Sequence, residues 1–255
     1  MPSDDEPVDE GKRNFLKVMV AVSVIAAAGG AVKAVLQNVK TPVAGITSFP
    51  TMQLYWVPPN STSSIPVPLK TADFPTNSPS IFVFDYPLQG EPNFLLKLAD
   101  ASGKPIKIES TEVTIPATGA KFMSAPGVGP DQNIVASSAI CEHLGCVPPI
   151  IHYYTPGTPI PGHPGLVNTY KNGLIHCNCH GSTYDPLHGF AVVTGPTAKP
   201  LPNVVLEWDP VSDTLYVKSM VGPTIYGKPS DLSGGTPFPV GTTTTTVTDL
   251  GTPSS

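Results

Sequence analysis

The chain has 255 residues, of which 32 are Pro and 23 are Gly, and charged side chains make up only 13%. That composition disfavours long helices and implies a turn-rich, mainly β protein with one substantial core plus appendages. Net charge is −5 and no basic run follows Lys40, so the electrostatic footprint of nucleic-acid binding is missing and that class is set aside.

Residues 1 to 13 are acidic and polar, with Asp4, Asp5, Glu6, Asp9 and Glu10, and are expected to form a disordered tail. The string Lys12-Arg13-Asn14-Phe15-Leu16-Lys17 then leads into an apolar run from Val18 to Val32 that Lys33 closes. At ~1.5 Å per residue the run covers about 22 Å. A bilayer core is roughly 30 Å thick, so spanning it requires Lys17 and Lys33 to snorkel and residues 14 to 36 to cross. One N-terminal transmembrane helix over 14 to 36 is expected, with Lys12, Arg13 and Lys17 holding the N-terminus on the cytoplasmic side and the head outside. Removal of this segment as a signal peptide is the competing reading. The basic string is similar to a twin-arginine export signal with its first Arg replaced by Lys, which suits export of a protein already folded around a cofactor.

Residues 37 to 50 read as a polar, Pro/Gly-containing tether, and no strong periodicity appears before Ile81. Apolar and β-branched runs bounded by turn residues follow at Ile81 to Tyr86, Phe94 to Leu98, Ile106 to Ile108, Glu112 to Ile115 and Ile134 to Ala136. Asp100-Ala101-Ser102-Gly103 reads as a hairpin turn. Later runs lie at Leu174 to His176, Val204 to Trp208 and Thr214 to Val217, the last two joined across Asp209-Pro210. Together they predict an antiparallel β head over 51 to 221. Residues 222 to 255, with five consecutive Thr from 242, read as a low-complexity or draped C-terminal extension. Asn60-Ser61-Thr62 is an N-glycosylation sequon, usable only outside the cytoplasm.

All four Cys and all six His lie between Cys141 and His188. Packing residues would not cluster in this way, so a metal site is the starting assumption. Two boxes carry most of them: Cys141-Glu142-His143-Leu144-Gly145-Cys146 and Cys177-Asn178-Cys179-His180-Gly181-Ser182. Each offers two Cys and one His. A tetrahedral zinc takes four ligands and leaves two Cys unexplained, whereas an iron-sulfur cluster with two Cys and two His is a second way to use the same side chains.

The boxes resemble the Cys-x-His-x-Gly-Cys and Cys-x-Cys-His-Gly-Ser pattern of Rieske proteins from cytochrome bc-type quinol-oxidising complexes. The resemblance implies a Rieske fold, an antiparallel β base domain with an inserted cluster-binding subdomain at about 137 to 200, and one [2Fe-2S] cluster. It further implies Cys141 and Cys177 as thiolate ligands, His143 and His180 as imidazole ligands, and a disulfide between Cys146 and Cys179. The disulfide requires an oxidising compartment, in keeping with the export signal.

Ser182 and Tyr184 fall at the positions whose hydroxyls donate to cluster sulfur in that family. Such donors stabilise the more negative reduced state and raise the potential. Gly195-Pro196-Thr197 resembles the family's Pro loop, a third loop over the cluster; with Leu144 it would form an apolar docking surface around the tip. Gly145 and Gly181 complete the matched boxes. By the same resemblance, His180, with His143 beside it, is the group that meets quinol and accepts its proton. The implied partners are a cytochrome b-like subunit, quinol, a downstream haem or copper acceptor such as a terminal oxidase, and membrane lipid through the anchor. The chain is read as a redox subunit of such a complex.

Two departures from the pattern stand out. Asn178 occupies a position where Pro is common, and 30 residues separate Cys146 from Cys177, a spacer similar to the inserted loop of archaeal Rieske proteins from thermoacidophiles. A subunit of a molybdenum oxidase of the arsenite oxidase type and a zinc-stabilised extracellular module are the alternatives. His152, His163 and His188 lack ligand spacing and are read as surface or structural, while His176 should point to the face opposite Cys177.

Overall fold

A computed structural model describes residues 49–59, 61–223 and 236–253. The expected tail, the anchor, most of the tether, Asn60 and part of the C-terminal extension lie outside the described residues. Among the described residues, no helix is long and apolar enough to cross a membrane.

The chain before the first box supplies β1 (Met52–Trp56), β2 (Val67–Pro68), β3 (Phe82–Asp85), β4 (Leu88–Gln89), β5 (Pro92–Lys97), β6 (Glu112–Thr114), β7 (Lys121–Met123) and β8 (Ile134–Ser138). The segment carrying the boxes forms β9 (Ile151–Tyr154), the single-turn helix α1 (Leu166–Thr169), β10 (Leu174–Cys177), β11 (Thr183–Asp185) and β12 (Ala191–Thr194). The chain then returns through β13 (Asn203–Asp209), β14 (Thr214–Val221), β15 (Thr236–Pro237) and β16 (Thr244–Asp249).

Eight strands hydrogen-bond in the order β14-β13-β8-β5-β3-β16-β1-β2, and β14 pairs with β1 as well. That extra pairing closes the sheet into a barrel and leaves β2 as a short overhang, so few strand edges remain open. All neighbours are antiparallel except β1 and β16, which run parallel with Leu54 opposite Thr245. A second antiparallel sheet, β12-β11-β10-β9, is built from the chain between β8 and β13. The protein is therefore mainly β, with the box-bearing sheet inserted into the barrel's sequence.

Two cores meet on β5 and β8. Inside the barrel, Leu95, Ile134 and Ala136 pack with Met52, Leu54, Trp56, Phe84 and Val217. On the barrel's outer side, Phe94, Leu96 and Val135 pack with Ile151, Tyr153, Ile175, Tyr184 and Phe190 of the inserted sheet. Strands buried on both faces lose the polar alternation of a half-buried strand and read as continuous apolar runs. This explains why the stretches from Phe94 and Ile134 are conspicuous in the sequence. Cys141 and Cys177 belong to the second core, so the box cysteines are mounted on the barrel wall.

Two expectations are corrected. The first strand lies well before Ile81, because Met52, Leu54 and Trp56 alternate inward while Gln53 and Tyr55 face outward. Five residues with an amphipathic Tyr give too short a pattern to stand out. The Thr-rich segment is no draped extension: β16 sits between β3 and β1, with Thr245 and Val247 buried. Thr is a favourable strand residue, and its polar face concealed the alternation. The Ile106 to Ile108 run forms no named strand, although the N–H groups of Ile106 and Ile108 donate to Leu98 O and Gln132 O.

Val247→Ala should therefore cost about 2 kcal/mol in urea-induced unfolding. A change within about 0.5 kcal/mol, as expected of an exposed tail, would contradict the assignment of β16 to the core.

Candidate metal centre

The two boxes close in the same way. In box I the Cys141 N–H donates to Cys146 O and the Gly145 N–H to Cys141 O, both at 2.9 Å. In box II the Cys177 N–H donates to Ser182 O and the Gly181 N–H to Cys177 O, again both at 2.9 Å. Each loop thus turns back on its own first cysteine within five residues. The turn residue in each is a glycine with positive φ, 77° at Gly145 and 86° at Gly181, which is why Gly occupies that place in both boxes. A disulfide joins Cys146 to Cys179 with their Cα atoms 6.9 Å apart.

This symmetry sets the two remaining cysteines face to face. Cys141 and Cys177 are each only 1% exposed. Their mutual hydrogen bond holds the Cys141 thiol well below the usual thiol range, with the hydroxyls of Tyr184 and Ser182 adding in the same direction against burial. The same contact, reinforced by burial, pushes Cys177 up.

Tyr184 lies with its hydroxyl 3.3 Å from Cys141 Sγ and accepts the Glu142 N–H at 3.2 Å. Accepting that N–H leaves its own proton available to the sulfur. Burial, followed by the adjacent Cys141 charge, pushes the phenol pKa up, so it remains a donor. Ser182 is fully buried. Its Oγ makes no hydrogen bond of normal geometry, yet it is among the groups lowering the Cys141 pKa, which places it beside that sulfur.

The imidazoles of His143 and His180 stand edge to face with ring centroids 4.9 Å apart. His180 is exposed and His143 half-buried. His143 Nδ1 is buried without a partner, a costly state for a polar atom. Two thiols in contact, two imidazoles in contact, an unpartnered Nδ1 and a serine hydroxyl without normal bonding form a donor set that fits a [2Fe-2S] group. Ligand atoms of Cys146, Cys179 and His180 also crowd within 4.8 Å of one another, but both sulfurs are consumed by the disulfide, so that trio has no thiolate to offer.

A third loop, residues 195 to 202, lies against both boxes. A Cβ added at Gly195 would approach Gly181 O to 2.5 Å and overlap Ser182 Cα, so the loop backbone rests directly on box II. Thr197, 6% exposed, comes within hydrogen-bond reach of Tyr184. Burial lowers the Lys199 pKa while the Glu142 carboxylate of box I acts against that shift. Sequence reasoning named Gly195, Pro196 and Thr197 as this loop, but neither Lys199 nor the approach of Thr197 to Tyr184. A Gly-Pro-Thr string carries no signal of what it will touch until the sheet has been folded. Leu144 is 61% and Ile150 47% exposed, and Pro196 of the third loop is exposed as well.

Three of the other four histidines make side-chain hydrogen bonds away from the pair. His152 Nδ1 meets Pro149 O at 2.8 Å, His188 Nδ1 meets Asp185 Oδ2 at 2.6 Å, and His176 Nδ1 meets Thr183 Oγ1 at 2.8 Å. His176 is turned away from the core that holds Ile175 and Cys177, and burial lowers its pKa to about 4.

Residues 98–205 match the family described as Rieske [2Fe-2S] domain. Among solved structures, the chain is similar to the soluble domain of the Rieske protein II (soxF) from Sulfolobus acidocaldarius, at 29% identity over 60% of this chain and 82% of that one, with a TM-score of 0.38.

The close approach at residue 195, together with its φ of 95°, generates a prediction. Gly195→Ala should reduce cluster loading several-fold, measured as iron per folded chain, because the new Cβ meets backbone. Full loading would contradict the placement of the third loop.

Proposed function

We infer that this chain, which carries a Rieske [2Fe-2S] domain and so transfers electrons through one such cluster, serves as the quinol-oxidising electron-transfer subunit of a respiratory cytochrome b-type complex. Cys141 and Cys177 would hold one iron and His143 and His180 the other, with His143 Nδ1 as the buried ligand atom. When bound, the cluster supplies a one-electron acceptor. The observation that supports quinol is the exposed imidazole of His180, ring to ring with His143, with Leu144 exposed next to His143 in sequence and the exposed Ile150 bonded through its carbonyl to Asn178 of the same box as His180.

The residues divide the work. His180 would receive the quinol hydroxyl proton at Nε2, the nitrogen left over if Nδ1 faces iron. Leu144, Ile150 and Pro196 provide apolar surface that excludes water from the docked partner. Tyr184 and Ser182 direct hydroxyl protons toward the thiolate side, which favours the reduced state. Cys146–Cys179 keeps the two boxes together. In this reading residues 14 to 36 anchor the chain with its N-terminus cytoplasmic, residues 37 to 50 tether the head outside the membrane, and electrons pass on to a haem or copper acceptor.

Tyr184→Phe should lower the midpoint potential. A hydrogen bond worth about 1 kcal/mol more to the reduced state corresponds to roughly 40 mV for one electron, and protein-film voltammetry reads the shift. Leu144→Asp in the membrane complex should leave the reduced-state EPR spectrum intact while quinol-dependent reduction slows at least tenfold, on the order of the cost of desolvating one charge at an apolar contact. Unchanged quinol kinetics, or copurification with a molybdopterin subunit in place of a cytochrome b, would overturn the quinol assignment.

A further inference from the structure

Box II is held on its inner side by its own turn and on its outer side by contacts that the cluster reading does not use. Asn178 sits between Cys177 and Cys179. Its N–H donates to Ile150 O at 3.0 Å, and its Oδ1 accepts the Tyr154 hydroxyl at 2.9 Å. Ile150 and Tyr154 both belong to the spacer between the boxes, at and just before β9. A proline at 178 has neither an N–H nor a side-chain oxygen, so it could make neither bond. The unusual residue in box II and the long spacer before it therefore meet in one interaction.

Tyr154 is itself braced. Its ring stacks on His152 at 4.4 Å between centroids and meets the edge of His176 at 5.7 Å. His152 is fixed through Nδ1 to Pro149 O, an acceptor only, so Nδ1 carries the proton. His176 is bonded to Thr183 Oγ1. Thr183 and Thr194 in turn both donate to Gly181 O, at 3.2 and 3.4 Å. The outer face of the inserted sheet thus grips box II at Asn178 and again at Gly181, on either side of Cys179 and His180.

We propose that Tyr154 and Asn178 are a positioning pair: the spacer strand β9 holds the backbone of Asn178 and thereby fixes Cys177, Cys179 and His180 in the geometry that the cluster and the disulfide require. This rests on the cluster assignment above. Neither residue touches the ligand set directly. They act through the two peptide units that link Asn178 to Cys177 and Cys179, at the point where the box joins β10.

The test uses the full chain, first loaded with iron and then prepared without it, and follows the rate at which dithiothreitol opens Cys146–Cys179. Tyr154→Phe removes one hydroxyl and keeps the stacking. Asn178→Ala removes the acceptor and keeps the N–H, and Asn178→Asp restores an acceptor. Tyr154→Phe and Asn178→Ala should each speed opening by about threefold to tenfold, the worth of one hydrogen bond. The double variant should be no faster than either single variant, because both remove the same bond. Asn178→Asp should return to the original rate. In the loaded protein, the reduced-state EPR line shape should shift in Tyr154→Phe and Asn178→Ala and not in Asn178→Asp, a response that a bond serving only stability would not give. Unchanged rates and line shape in Tyr154→Phe, or additive effects in the double variant, would overturn the proposal. A chain that takes up no iron would instead sink the cluster assignment, since the iron-free rates still report on the Tyr154–Asn178 bond.

Discussion

Two thiols in contact inside an apolar core are the constraint around which the inserted sheet is built, and much of that sheet serves to keep Cys141 and Cys177 there. Both are almost wholly buried on the outer wall of the barrel. Burial alone would favour two neutral thiols. Instead, the contact with Cys177 and the hydroxyls of Tyr184 and Ser182 lower the Cys141 pKa against burial, which suits a positively charged group beside the pair. The buried, unpartnered Nδ1 of His143 makes the same demand from the other side.

The matched closure of the two boxes shows how a short motif achieves this. Each loop needs a cysteine at the end of a supported segment, a glycine able to take positive φ four residues on, and one bond back to the start. The disulfide then joins the two loops outside the ligand set. The third loop lies on the backbone of box II and faces Glu142 of box I, so the centre is enclosed by three short segments whose positions all derive from the barrel.

The parts visible in the sequence were those with local chemical signatures. The boxes stand out because Cys, His and Gly at fixed spacing are improbable without a metal. The runs from Phe94 and Ile134 stand out because strands buried on both faces are continuously apolar. What stayed hidden depended on distant contacts. The five residues of β1 and the threonines of β16 become strands only when paired with each other, across almost 200 residues of chain. Thr197 and Lys199 acquire a role only when the third loop arrives beside Tyr184 and Glu142. Asn178 was visible as a departure, but its bonds to Ile150 and Tyr154 needed the fold.

The account's central claim is that one iron is held by the thiolates of Cys141 and Cys177 and the other by the Nδ1 atoms of His143 and His180, with Cys146 and Cys179 as spectators. Pulsed EPR of the reduced full chain tests this most directly. The account predicts a [2Fe-2S] signal modulated by two histidine nitrogens, one of which disappears in His143→Cys. A bound metal giving no such signal, or a [2Fe-2S] signal free of nitrogen coupling, would contradict it.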